Sequence, residues 1–286
     1  MKNIAPALVL AFCLGCTGPA LAQNAATSEQ TDENKLAEIF RETLAAAGRG
    51  EASAQTSLGL MYAKGLGVAR DDARAVAWFR NAAEQGLAVA QYNLGLMYRE
   101  GQGVPRDDTQ AVAWFRKAAV QGLVQAQYNL GLAYANNRGV ARNDAQAAAW
   151  YRRAADQGFA KAQNNLGMMY EIGLGVAQDD AESLAWYSKA AEQRLASAQF
   201  NIGLAYANDR GVARDDVLAV VWYRKAAEQG LVQAQYNLGN MYRDGRGVAR
   251  DDAQATAWYR KAAEQGSGLA QEALRRLETS GLGDSR

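Results

Sequence analysis

Apolar residues return along most of this chain in a fixed pattern that has two parts. In the first part, Ala, then Leu or Ile, then Tyr follow at four-residue intervals, as in Ala126, Leu130 and Tyr134. In the second part, an alanine-rich run passes through Trp and an adjacent Phe or Tyr and ends at Ala-Ala, as in residues 147–155. Residues four apart lie on the same face of an α-helix, so each copy predicts two amphipathic helices.

The tryptophans show the length of the repeating unit. Each lies 36 residues from the next, at Trp78, Trp114, Trp150, Trp186, Trp222 and Trp258. A fixed period of this length is typical of a solenoid, in which each unit buries its apolar face against its neighbours. The sequence therefore predicts an all-α solenoid of six helix-pair repeats over residues 50–265. The predicted bounds of repeats 1 to 6 are 50–85, 86–121, 122–157, 158–193, 194–229 and 230–265.

Polar residues and glycines mark the ends of the predicted helices. An acidic residue such as Asp107, or Asn143 in one copy, stands before each second helix. Its side chain accepts hydrogen bonds from the free N–H groups of the first helical turn. Glycines such as Gly101 stand where helices end, because a left-handed backbone costs little there. Asn137 and Asp209 take this place in two copies, and both residue types tolerate that conformation.

The segments outside the repeats are predicted from the same signals. Residues 32–49 form an N-terminal capping helix, and the small polar residues 23–31 form a linker before it. Residues 266–279 restart the first-helix pattern without a tryptophan half, so they form a C-terminal capping helix. Residues 280–286 form a frayed tail. The predicted apolar face of the N-terminal capping helix contains Leu36, Ile39, Phe40 and Leu44.

The first 22 residues have the features of a secretory signal peptide. Lys2 precedes an apolar run at residues 5–14, and Ala20-Leu21-Ala22 provides a small-residue cleavage site. The run is too short for a stable membrane anchor. The alternative is a lipoprotein signal with Cys16 acylated, although Cys13 occupies a position where an aliphatic residue is usual. Cleavage after Ala22 predicts a periplasmic or secreted protein, and acylation predicts an outer-membrane lipoprotein.

Charge and cysteine content limit the partners and the means of stabilisation. The chain has 31 basic and 30 acidic residues. Cleavage after Ala22 removes only Lys2 among them, which leaves a neutral chain with no preference for nucleic acid or an anionic membrane surface. Both cysteines lie within residues 1–22. The mature chain therefore has no disulfide, and packing alone stabilises it.

The composition argues against the common catalytic sites. The chain has no histidine, which removes the commonest general base and the commonest zinc ligand. The acidic pairs recur at the start of the second helix of each repeat. This repetition favours helix capping over a catalytic or metal-binding role for the carboxylates. The tryptophans lie on helices that pack between repeats, so we assign them to the core. No catalytic residue, metal ligand or cofactor is predicted.

At this level of detail the repeats resemble a known family. Segments such as AVAQYNLGLMYREGQGVPRDDTQAVAWFRKAAVQG are similar to Sel1-like repeats, which are related to tetratricopeptide repeats. The resemblance implies a right-handed superhelix of helix pairs whose first helices line a concave, protein-binding surface. Cysteine-rich members join each helix pair by a disulfide, and this chain departs from them because its repeats contain no cysteine.

The candidate binding residues lie on the first helices, opposite the recurring Ala, Leu and Tyr. We call them the first-helix face. Its aromatic members give a large contact area with few rotatable bonds. An asparagine recurs beside them, and two interpretations stay open: its amide grips a peptide backbone, or it bonds a neighbouring helix. The predicted residues are Tyr92, Asn93, Leu96, Tyr128, Asn129, Leu132, Asn136, Asn165, Met168, Phe200, Asn201, Leu204, Asn208, Tyr236, Asn237 and Asn240.

These observations predict a non-enzymatic protein that binds another protein or an extended peptide, acting as an adaptor or regulator in the bacterial cell envelope. One alternative is a broad-specificity periplasmic binder that acts like a chaperone. The other is a hydrolase active on the cell wall or on β-lactams, which would need carboxylates alone for acid–base chemistry. The sequence gives neither the partner nor the oligomeric state.

Overall fold

The computed structural model describes the backbone of residues 19–281 and the side chains of residues 34–278. Within that part of the chain every regular element is a helix, which confirms the all-α prediction. The predicted cysteine positions and most of the predicted signal and tail lie outside the described residues. The helices are α1 Pro19–Gly48, α2 Ala52–Lys64, α3 Asp72–Glu84, α4 Ala88–Glu100, α5 Asp108–Val120, α6 Val124–Ala135, α7 Asp144–Asp156, α8 Ala160–Ile172, α9 Asp180–Glu192, α10 Ala196–Asn208, α11 Asp216–Glu228, α12 Val232–Asp244, α13 Asp252–Glu264 and α14 Gly268–Gly281.

The chain divides into two compact units, residues 1–85 and residues 86–286. In the first unit, α1 and α2 pack together, and α2 pairs with α3 to form repeat 1. The rings of Phe40 on α1 and Tyr62 on α2 meet edge to face, with centroids 5.6 Å apart. Gln55 donates a hydrogen bond to the Ala47 carbonyl oxygen at 3.3 Å. These contacts explain how α1 covers the exposed side of repeat 1.

Helix α1 differs from its prediction in two respects. It begins at Pro19 and runs through residues 23–31, which the sequence analysis assigns to a linker. Pro19 fits the first turn, and no glycine or proline follows it until Gly48. The predicted apolar face was also wrong for three of its four residues, since Leu36, Ile39 and Leu44 are each more than a third exposed. Phe40 packs against α2 as predicted, and the buried Ala47 lies seven residues further along the same side of the helix.

The second unit contains repeats 2 to 6 and α14. Each helix from α4 to α14 packs against the next one along the chain. The second helices begin at side-chain caps, as predicted: Asp107 accepts a hydrogen bond from the Gln110 N–H group, and Asn143 accepts one from Gln146, both at 2.9 Å. Asn137 and Asp209 have φ values of 54° and 59° at the helix ends where other repeats have glycine, which confirms that prediction.

A glycine within each first helix lets the two helices of a repeat approach closely. At Gly131 a β-carbon would lie 2.6 Å from a ring carbon of Tyr151. Real side chains do not approach so closely, so the aromatic ring of the second helix takes the space that a side chain would occupy. The same arrangement at Gly203 and Tyr223 shows that it belongs to the repeat and not to one copy.

A row of buried glutamines joins consecutive repeats. Gln127 donates a hydrogen bond to the carbonyl oxygen of Ala119 in the preceding repeat at 3.2 Å. It accepts one from Gln157, at the end of the second helix of its own repeat, at 2.7 Å. Gln235 makes both bonds in repeat 6, with Ala227 and Gln265. These bonds satisfy buried amides that would otherwise destabilise the fold, and they fix the spacing between repeats.

Candidate functional site

The residues of the first-helix face lie on α4, α6, α8, α10 and α12, all within the second unit. Most are half-buried, whereas Asn136, Met168 and Asn208 are exposed. Met168 is 44% exposed and Ile172, one turn further along α8, is 59% exposed. The face therefore presents its most accessible apolar surface on repeat 4, and the sequence analysis did not select Ile172 as a binding residue.

The aromatic residues of the face are held by the second helices. Tyr92 packs against Phe115 with ring centroids 5.7 Å apart, and Tyr128 packs against Tyr151 at 5.8 Å. Phe200 and Tyr236 make the same contact with the second helices of repeats 5 and 6. Burial raises the pKa of the Tyr92 and Tyr128 hydroxyl groups. Each ring thus has one side in the core, so it can serve as a rigid wall but not as a mobile side chain.

The recurring asparagines already have partners inside the protein. Asn129 donates to the Tyr92 hydroxyl at 3.3 Å and to its own helix at the Gln125 carbonyl oxygen at 2.8 Å. Its amide oxygen accepts a hydrogen bond from Arg99 at 2.7 Å. Both amide hydrogens are therefore committed, and Arg99 and Tyr92 belong to the preceding repeat. At Asn129 the structure shows the second of the two interpretations, a bond to a neighbouring helix.

The other asparagines follow the same principle with different partners. Asn165 hydrogen-bonds the hydroxyl groups of Tyr128 and Tyr151. Asn201 donates to the Asn164 side chain of the preceding repeat at 3.1 Å. Asn237 bonds the Tyr223 hydroxyl. The asparagine row thus connects helices along the solenoid, and its role toward a peptide stays a prediction.

The remaining predicted polar residues also have local partners. Asn136 and Asn208 donate to the carbonyl oxygens of Leu132 and Leu204 one turn earlier, each at 2.9 Å. Asn240 accepts a hydrogen bond from the Tyr259 hydroxyl at 2.7 Å. Burial is the main cause that raises the pKa of Tyr259 to about 12. Asn93 and Leu96 lie half-buried on α4. The face as a whole therefore combines fixed aromatic and aliphatic side chains with asparagines, two of which are exposed at the helix ends.

A pocket of about 170 Å³ opens on this face where repeats 2 and 3 meet. We call it the repeat 2–3 pocket. Its apolar wall includes Val112 and Phe115 from α5 and Leu132 and Ala133 from α6. Its polar side includes Arg99, Asn129, Asn136, Asp108 and Arg138, of which the sequence analysis selected only the two asparagines. The space exceeds by several-fold what one water molecule needs, so a small group can enter it.

The equivalent space between repeats 4 and 5 is nearly closed. About 10 Å³ is left there, lined by Glu171, Tyr187, Asn201 and Arg210 among others. The Tyr187 hydroxyl donates to Glu171 at 2.7 Å, and Arg210 forms an ion pair with the same carboxylate. Burial and the bond to Glu171 raise the pKa of Tyr187. These three side chains fill the space that is open between repeats 2 and 3.

Two substitutions between repeats, at the positions of Glu171 and Tyr187, explain why the repeat 2–3 pocket is open and why its loop arginine is left without a partner. Glu171 corresponds to Arg99, two repeats earlier, and Tyr187 corresponds to Phe115, which has no hydroxyl. Arg210 corresponds to Arg138, which makes no side-chain hydrogen bond or ion pair with any residue that the structure describes. The variation at these positions is visible in the sequence. Its meaning depends on which side chains meet across repeats, which the repeat pattern alone does not show.

The acidic pairs and the tryptophans serve the fold. Except in repeat 4, where Gln178 replaces the arginine, the second residue of a pair binds the arginine two residues before it, as Asp108 binds Arg106 at 2.7 Å. Trp150 and Trp186 are buried, and a cationic side chain covers the exposed side of most of the others, as Lys117 does for Trp114 at 4.0 Å. Among the described residues no group of three or more His, Cys, Asp or Glu side chains could hold a metal ion. None of the helices searched within them is long and apolar enough to cross a membrane.

Comparison with known proteins gives consistent results. The model of the Sel1 repeat matches six consecutive segments, each beginning two residues after a predicted repeat boundary: 52–87, 88–123, 124–159, 160–195, 196–231 and 232–267. No curated protein matches the chain.

Two solved structures are similar over most of the chain. One is Escherichia coli c5321, a protective antigen of uropathogenic strains with an SLR fold, at 42% identity and a TM-score of 0.81, with 85% of this chain and 52% of that chain covered. The other is a Sel1 repeat protein from Oxalobacter formigenes, at 31% identity and a TM-score of 0.72, with 83% and 95% covered. The chain thus spans about half the length of the Escherichia coli protein.

Proposed function

Because the chain belongs to the Sel1 repeat family, whose solenoids generally serve as scaffolds for protein interaction, we propose that its first-helix face binds an extended segment of another protein. The observation that carries this proposal is the exposed apolar pair Met168 and Ile172 on repeat 4, whose neighbouring repeats carry the fixed rings of Tyr128 and Phe200 on the same face. Large exposed apolar side chains on a surface that also carries fixed aromatic rings are typical of binding surfaces.

The chemistry of the face supports a non-enzymatic role. Its tyrosines and asparagines bond one another, and the acidic pairs cap helices or bind arginines. The cluster of titratable groups formed by Glu171, Tyr187 and Arg210 nearly fills its own space and leaves no room for a substrate there. We therefore place the function in binding and positioning of a partner, not in catalysis.

A peptide-selection experiment tests the binding face directly. We would select peptides from a random displayed library on the purified protein and measure their affinities for two double variants. Met168→Lys with Ile172→Lys places two charges on the first-helix face and is expected to weaken binding at least tenfold, or about 1.4 kcal/mol. Val217→Lys with Val221→Lys is the matched control, since these residues are also exposed and four apart but lie on a second helix, α11.

The two double variants separate the possible outcomes. Loss of binding in the α8 variant alone supports the proposal. Equal losses in both variants, or a loss in the α11 variant alone, would place the binding surface elsewhere. Far-UV circular dichroism of both variants shows whether each retains its helices, since exposed substitutions of this kind usually change stability by less than about 0.5 kcal/mol.

We further propose that the protein acts in the bacterial cell envelope after export and cleavage following Ala22, with acylation of Cys16 as the alternative. The support is the sequence of residues 1–22, with one basic residue, an apolar run and a small-residue site. Fractionation of cells that express wild type and Cys16→Ser distinguishes the two. Membrane attachment that is lost in the variant would indicate the lipoprotein. A cytoplasmic protein of uncleaved mass would refute export.

A further inference from the structure

We propose that the repeat 2–3 pocket binds the C-terminal residue of a peptide, with its carboxylate on Arg138 and Arg99 and an aliphatic side chain on the apolar wall. This inference rests on the proposed function, because it names the part of the partner that one pocket takes.

An arginine lies in the loop after the first helix in three of the repeats, at Arg138, Arg210 and Arg246. Arg210 forms an ion pair with Glu171, and Arg246 binds Asp216 at 2.8 Å. Both carboxylates belong to the preceding repeat. Arg138 occupies the same loop position at the repeat 2–3 pocket, yet it binds no carboxylate among the described residues. The loop arginine thus binds a carboxylate in two repeats and binds none in repeat 3.

A second positive charge lies in the pocket with Arg138. The residue equivalent to Glu171 is Arg99, so a second guanidinium group replaces the carboxylate there. The Asn129 amide oxygen holds Arg99 in place at 2.7 Å. The pocket also contains the Asp108 carboxylate, which binds Arg106 at 2.7 Å, and Glu100 binds Arg99. Counted with these partners, the pocket keeps a net positive charge and Arg138 binds no carboxylate, which favours an anionic ligand.

The size and polarity of the pocket limit which chemical group can fill it. Its volume of about 170 Å³ is close to that of cavities of about 150 Å³ that accommodate benzene. The wall of Val112, Phe115, Leu132 and Ala133 is apolar, whereas the two arginines lie on the polar side. A ligand that uses the whole pocket must carry an apolar group of about leucine size next to a carboxylate.

A C-terminal residue with an aliphatic side chain meets both requirements in one residue. An aspartate or glutamate within a peptide brings a carboxylate but only one or two methylene groups, and it would leave most of the apolar wall in contact with water. Arginine binds terminal and side-chain carboxylates with the same bidentate geometry, so the apolar wall decides between them. We therefore assign the pocket to a terminal carboxylate and not to an acidic side chain.

The experiment uses three pools of N-terminally labelled eight-residue peptides with random internal sequence. The first pool ends in leucine with a free carboxylate, the second ends in leucine amide, and the third ends in glutamate amide. Affinities of the pools and of the tightest peptides are measured for wild type, Arg138→Ala and Ala133→Met. Met169 and Met241 are buried at the position of Ala133 in repeats 4 and 6, so methionine is compatible with the fold and fills the pocket. Arg210→Ala is the control, because it removes the equivalent arginine at another position.

We expect the free acid to bind at least tenfold more tightly than the amide. This preference should disappear in Arg138→Ala and Ala133→Met and persist in Arg210→Ala. Equal affinity for free acid and amide would overturn this inference while leaving peptide binding by the face intact. Equal affinity for the glutamate pool would show that an acidic side chain is recognised instead. Failure of all pools to bind, with the library selection also empty, would overturn the proposed function as well.

Discussion

The junction between repeats 2 and 3 and the junction between repeats 4 and 5 are built from equivalent positions, yet one holds a pocket and the other is nearly closed. The same first-helix glycine, second-helix ring and buried glutamine occur at both. The difference lies in three side chains at the edge of each junction, which we call the rim. Tyr187 and Arg210 both bind Glu171, whereas Arg99 lies over the Phe115 ring at 5.9 Å and Arg138 binds neither residue. A constant framework thus carries a variable rim, and the rim decides which junction is available to a ligand.

The framework shared by the two junctions should respond to mutation in the same way at both. Leu130 and Ile202 occupy equivalent positions and are almost completely buried. Replacing either by alanine should lower the free energy of unfolding by about 2–5 kcal/mol, since each leaves a cavity in a close-packed core. Urea denaturation followed by circular dichroism measures this. A loss at one position several-fold larger than at the other would show that the framework is not constant.

The rim between repeats 4 and 5 should contribute more to the free energy of unfolding than the rim between repeats 2 and 3. Glu171→Ala leaves the buried Tyr187 hydroxyl and Arg210 without their partner, which should cost about 1–3 kcal/mol. Arg99→Ala, at the equivalent position, removes partly exposed contacts and should cost about 0–1 kcal/mol. Thermal melts of both variants test the order, and equal costs would contradict it.

Alkaline pH should lower the stability of the fold through the buried tyrosine hydroxyl groups of the second helices. Burial raises the pKa of Tyr223 to about 12, above the ordinary value near 10. The unfolded chain therefore loses this proton first. The stabilising contribution is complete below pH 10 and is lost as the pH rises toward 12. Tyr223→Phe, which copies Phe115, should reduce the loss of stability between pH 10 and 12 by up to about 2 kcal/mol. An unchanged pH dependence in denaturation midpoints would argue against this burial.

The smallest expected effects on stability come from replacing the loop arginines Arg246 and Arg138. Hydrogen bonds from Arg214 and Arg246 lower the pKa of Asp216 to about 2. The contribution of this carboxylate is present above pH 4 and is lost as the pH falls toward 2. Arg246→Ala should cost less than about 1 kcal/mol at neutral pH, because the pair is partly solvated, and should weaken this acid dependence. Arg138→Ala should change stability by less, and a larger loss would reveal a structural role for Arg138.

The fold follows from local signals, and the pocket does not. Asp107 and Asn143 cap helices because their chemistry acts within one turn, so the sequence predicts them directly. The repeat positions of Leu130 and Gly131 follow from the period in the same way. The Arg99 partner of Asn129 lies in the preceding repeat. The open pocket at Arg138 also depends on Arg99, which is 39 positions earlier in the chain. Such contacts between side chains are set by the packing of one repeat on the next, and the sequence pattern within one repeat does not reveal them.

The comparison of the two junctions can be tested most directly by the methyl NMR signals of Ala133 and Ala205. These residues are equivalent and line the open and the closed space, respectively. The measurement uses wild-type protein saturated with the tightest free-acid peptide. The account predicts a clear shift of the Ala133 methyl signal and little change at Ala205. A shift at Ala205 alone, or no shift at either methyl in the saturated complex, would contradict the assignment of the open junction as the binding pocket.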